Sequence, residues 1–146
     1  MTSAARAAPT VLLGFVAVCL AAGGVLHGLA FLKAAQVIDR SNLPAFFAGT
    51  FKGLWLSESA SLLGLGLVFG VIAAQPAFAA RRLILLLALT PLACAAFIYT
   101  TVGSFFAGHL LSLAGAAALL GGMLRPDTPE GRTTFLSMGG VDEQSF

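Results

Sequence analysis

Hydrophobic positions in this chain fall into four long runs, separated by short clusters of charged, polar or turn-forming residues. The first covers residues 10–32 and ends at Lys33. The second covers 51–74, has Lys52 at its mouth, and stops before Gln75-Pro76. The third covers 83–101 and is entered through Arg81-Arg82. The fourth covers 104–124 and stops at Arg125-Pro126, with Gly103 predicting a tight turn between the last two. About 20 mostly apolar residues suffice for a helix to cross roughly 30 Å of hydrocarbon. The pattern therefore predicts an all-α integral membrane protein, an antiparallel bundle of four transmembrane helices.

The segments between the runs refine that picture. Residues AAQVID prolong the first helix past Lys33, and Asn42 is expected to cap a new helix with Pro44 in its first turn, where amides lack intrahelical partners anyway. Phe46, Phe47, Phe51 and Trp55 would then place rings near a membrane–water interface. The stretch 125–146, RPDTPEGRTTFLSMGGVDEQSF, is polar and rich in Gly and Pro, and is expected to be a disordered cytoplasmic tail. Arg6 followed by Val11–Ala22 has the outline of a signal peptide. The apolar run continues to Leu32, however, so a retained span is expected.

Composition narrows the class. Hydrophobic residues make up 58% of the 146 residues and charged residues 10%, with a mean hydropathy of +0.95. A soluble domain has about 25% charged residues, so lipid is the solvent here. A net charge of +2 with no basic run excludes a nucleic-acid footprint. Cys19 and Cys94 lie inside apolar runs and form no CxxC, which reads as two small hydrophobes. Arg6, Arg81, Arg82, Arg125 and Arg132 share one side of a four-span protein, against Lys33, Arg40 and Lys52 on the other. That excess predicts a cell-membrane protein with both termini in the cytoplasm.

Small residues at helical spacing mark the expected seams between helices, because close packing replaces the hydrophobic drive in lipid. They are Ala17, Ala21, Gly24 and Gly28 in the first span (a GxxxG), and Ser57, Ser61 and Gly64, with Gly66-xxx-Gly70, in the second. The fourth span has Gly108, Ser112 and Gly115. Pro91 removes one hydrogen bond from the third span and is expected to kink it.

Three residues carry candidate chemistry. Glu58 is the only acid in any run, and a carboxylate at the centre of a span costs about 2.5–3.5 kcal/mol on insertion scales. His27 precedes Lys33 by six residues, Glu58 follows Lys52 by six and His109 follows Gly103 by six, a matching depth of about 9 Å. The preferred reading is a structural clasp in which Glu58 pairs with a histidine. The second is a ligand or proton site for a small lipophilic molecule. The third is metal or haem, with two imidazoles and a carboxylate as ligands. No Ser-His-Asp order, HExxH or phosphate-binding glycine loop is present, so no cofactor or reaction is indicated. The expected function is that of an accessory or scaffolding membrane subunit packing on a membrane-protein partner or a second copy through its Gly/Ala/Ser faces. The alternative is a carrier or enzyme acting at His27, Glu58 and His109.

The charge count yields a topology test. In a background lacking Cys19 and Cys94, Ser41→Cys should react with an impermeant thiol reagent on intact cells, and Gly139→Cys should not. The reverse labelling pattern would invert the assigned orientation.

Overall fold

A computed structural model describes residues 3–125, with side chains from residue 7 onward. The expected tail lies outside the described residues, apart from Arg125. Four α-helices follow one another: α1 (Ser3–Asp39), α2 (Ala45–Ala74), α3 (Arg81–Thr101) and α4 (Phe106–Met123). A single 3-10 turn at Pro76–Phe78 lies between α2 and α3. All four helices are long and apolar enough to cross a membrane. The chain is a multi-pass membrane protein with an all-α four-helix fold.

Each boundary has a local cause. Asn42 does not cap α2: Pro44 occupies the N-cap position at φ −55°, ψ 144°, with no side-chain cap. A proline there needs no N–H partner and holds the chain extended for entry into the helix. Gly103 closes the α3–α4 hairpin at φ +89°, a backbone conformation that costs a residue without Cβ little. Pro91 sits inside a continuous α3 with its ring fully buried.

The helices differ in length. At 1.5 Å per residue, α1 and α2 extend roughly 55 and 45 Å, whereas α3 and α4 extend roughly 31 and 27 Å. The surplus lies at the end bearing the α1–α2 and α3–α4 loops, here the hairpin end. The other, terminal end holds the core: Leu13, Val16, Leu20, Phe69, Ile72 and Ile84 are all buried to within 1%. From residue 25 to residue 58 nothing is buried. The α1–α2 arm is held instead by pairwise contacts, among them Lys52 Nζ to Asp39 Oδ1 at 2.5 Å. At the terminal end the Arg125 guanidinium donates to the Pro76 carbonyl, latching the close of α4 onto the α2–α3 connection. Burial there lowers its pKa from the usual arginine value.

Helix contact runs through glycine. α1 packs on α2 and on α4, and α3 packs on α4. A Cβ built on Gly66 would lie 2.9 Å from the Ala21 amide nitrogen and 3.0 Å from the Ala17 carbonyl oxygen. On Gly24 it would lie 2.9 Å from the Leu63 side chain. Gly28 leaves more room, with Ser59 Oγ at 3.7 Å. On α4, Gly108, Gly115 and Gly122 approach Tyr99, Leu92 and Leu85 in turn. These three are seven residues apart, the repeat of a left-handed seam. The α2 seam departs from the expected one toward the hairpin end. Ser57 and Ser61 are exposed, and a Cβ on Gly64 would meet nothing within 4 Å. Ser59 faces α1 in their place, while the expected Gly66 and Gly70 do lie against Ala17 and Ala21 of α1.

Two glycines separated by one residue should therefore respond with opposite signs. Gly66→Ala should lose about 1–3 kcal/mol, since its neighbours are backbone atoms that cannot rotate away. Gly64→Ala should be neutral or gain up to about 1 kcal/mol from helix propensity. Thermal unfolding of both variants in mild detergent reads the difference, and equal effects would refute the Gly66 crossing.

Candidate functional site

The fold places the three candidate residues on three different helix boundaries near the hairpin end. His27, on α1, stacks on Trp55 of α2 with ring centroids 4.5 Å apart and planes 8° apart. The Trp55 indole N–H donates to the His27 backbone carbonyl at 2.8 Å. One α2 aromatic thus holds both the ring and the backbone of a single α1 residue, an aromatic tie at the base of the arm.

His109 belongs to the α3–α4 hairpin. Its Nδ1 lies 2.8 Å from the Tyr99 hydroxyl and its Nε2 lies 3.2 Å from Ser104 Oγ. Ser112 Oγ donates to the Tyr99 oxygen at 3.4 Å. Tyr99 and Ser104 thus each hold one nitrogen of the His109 ring, with donor and acceptor roles set by its tautomer. The network ties the end of α3, the turn and the first turns of α4. Thr100 and Thr101 return their hydroxyls to helix carbonyls.

Glu58 meets neither histidine. It is half-buried and has no hydrogen bond or ion pair with any described residue. It lines a cleft of about 190 Å³ between α2 and α3, together with Ser61, Leu62, Leu65, Thr90, Pro91 and Cys94. α2 and α3 make few close backbone approaches to each other, each being held in the bundle by its neighbour, α2 by α1 and α3 by α4. Its polar groups are one carboxyl, two hydroxyls and one thiol. Ser61 Oγ already donates to the Ser57 carbonyl at 2.8 Å.

The level of Glu58 follows from its neighbour. Ser59 lies against Gly24 and Gly28, while Gly23 faces Leu110, one turn inside α4. Glu58 is thus within about one turn, roughly 5 Å, of the hairpin end of α4.

Two expectations are corrected by this arrangement. The Glu58–histidine clasp is not formed, since His27 is engaged by Trp55 and His109 by Tyr99 and Ser104. The metal reading of His27, Glu58 and His109 also fails on geometry: among the described residues no three His, Cys, Asp or Glu side chains are grouped to hold an ion. Sequence reading did not place Thr90 and Cys94 at the site. The available signal was that Thr90 is the only hydroxyl in the middle of α3.

Fold and site together define a multi-pass α-helical membrane protein with an acid-bearing cleft open between two of its helices. No protein family, characterised protein or solved structure matches the chain.

Because the side chains of Glu58 and His109 do not meet, Glu58→Leu and His109→Leu should change unfolding free energy additively, within about 0.5 kcal/mol. A double variant markedly more stable than the sum of the singles would restore the clasp.

Proposed function

We propose that the protein binds a small lipophilic ligand from the membrane in the α2–α3 cleft, with Glu58 as its principal polar contact. The observation that carries this reading is Glu58 itself: the only acid in the four apolar runs lines a cleft with no hydrogen bond or ion pair to any described residue. Ionisable groups in spans pair with each other or mark a binding pathway, and the pairing partners here are engaged elsewhere. The apolar flanks Leu62, Leu65 and Pro91 suit a ligand that partitions into lipid. In this reading the protein resides in the cell membrane with both termini cytoplasmic, and the cleft mouth lies toward the outer leaflet.

A second reading, an accessory subunit, is favoured by a separate observation. Gly49, Gly53 and Gly64 have nothing within 4 Å of an added Cβ, and Ser57 and Ala60 beside them are exposed. This stripe on α2 faces away from α1 and is spaced to receive another helix, from a membrane-protein partner or a second copy.

Native mass spectrometry from mild detergent tests both. Thr90→Trp fills the cleft and should remove a small-molecule adduct carried by the wild type while leaving its thermal stability within about 1 kcal/mol. Absence of any such adduct from wild-type protein prepared directly from membranes would count against the ligand reading. A retained second chain that disappears with Gly53→Ile would support the accessory reading, and a strictly monomeric wild type would oppose it.

A further inference from the structure

We infer that the cleft takes a primary ammonium group carried on an apolar body, with the Glu58 carboxylate as its counter-charge. This rests on the ligand-binding reading above and specifies its chemistry. Polar groups lining the cleft are the Glu58 carboxyl, the Ser61 and Thr90 hydroxyls and the Cys94 thiol. Neither Glu58 oxygen accepts a hydrogen bond from a described residue. Ser61 spends its hydrogen on the Ser57 carbonyl and keeps its lone pairs. No Lys, Arg or His lines the cleft. Lys52, two turns up α2, is held by Asp39.

These acceptors exclude several ligand classes. An anion would meet an uncompensated like charge. A neutral alcohol could fill the space but would leave the carboxylate without a counter-charge. A multivalent metal ion would need further ligands that the described residues do not group. A quaternary ammonium carries charge but no N–H, whereas a primary ammonium has three donors to offer the Glu58 oxygens and the Ser61 lone pairs. Charge-assisted hydrogen bonds of this kind are about twice as strong as neutral ones. The position of Glu58, within about one turn of the hairpin end, puts the ammonium at the cleft mouth near the interface. The apolar body then lies inward along Leu62, Leu65 and Pro91. An ethanolamine lipid headgroup and a free lipophilic amine share this chemistry.

Cys94 lines the same cleft and supplies the reporter. In a Cys19→Ser background, reconstituted in phosphatidylcholine vesicles, the rate of Cys94 modification by methyl methanethiosulfonate is measured with three probes of one shape: cyclohexylmethylamine, cyclohexylmethanol and cyclohexanecarboxylic acid. A parallel arm replaces part of the phosphatidylcholine with phosphatidylethanolamine. The amine, the ethanolamine lipid or both should slow modification by about tenfold, the scale of a hydrogen bond to a charged group. The alcohol and the acid should not. Glu58→Gln should abolish the protection and Glu58→Asp should keep part of it, which separates loss of the carboxylate from loss of the fold. Protection by the lipid alone identifies a headgroup, and protection by the amine identifies a free ligand; either supports the inference. Equal protection by all three probes, or protection that survives Glu58→Gln, overturns the ammonium assignment and leaves ligand binding standing. No protection from any probe, together with no adduct in native spectra, overturns both.

Discussion

Everything in this bundle depends on how closely two helix backbones approach where Gly66 of α2 meets Ala17 and Ala21 of α1. Lipid tails are as apolar as leucine, so burial alone gives helices no reason to associate, and contact must come from packing at short range. A side chain at position 66 would hold the helices apart. With hydrogen there, the α1–α2 contact continues toward the hairpin end through Gly24 against Leu63 and Ser59 beside Gly28. That register delivers Trp55 to His27. Successive helical residues differ by about 100° around the axis. Fixing Ser59 against α1 therefore turns Glu58 away from α1 and toward α3.

The same physics accounts for the cleft. α3 reaches α4 closely at Gly108, Gly115 and Gly122, and α1 reaches both α2 and α4. Between α2 and α3 no equivalent glycine is available: Leu62 and Leu65 face the buried ring of Pro91. The connection from Ala74 to Arg81 and the Arg125 contact with Pro76 hold the two helices together at the terminal end. There Phe69 and Ile72 complete the core. Toward the hairpin end nothing replaces these contacts, and the pair opens beside Glu58.

An acid at such an opening differs from an acid in a packed core. In a core it would require a partner from the protein. Lining an open cleft, it has no hydrogen bond or ion pair to a described residue, and its oxygens are not committed to the protein fold. The two histidines have the opposite character: one is fixed by an indole and the other by hydrogen bonds at both nitrogens. They brace the arm and the hairpin that flank the site, and leave its charge to Glu58 alone.

The sequence by itself determined the number of spans and their antiparallel order, because hydropathy acts locally along the chain. It also singled out Glu58, since an acid in an apolar run is legible without any fold. Gly24 and Gly108 could be read as small positions, and both lie at close approaches between helices. What only the tertiary structure decided was rotation. Whether α2 presents Ser57 and Ser61 or Ser59 to α1 depends on where a neighbouring backbone fits, and that neighbour is thirty or more residues away in the chain. The rotation assigned Glu58 to Thr90 and Cys94 instead of to a histidine. Matching depth along the helices could not reveal this, because depth is measured along an axis and contact depends on the angle around it.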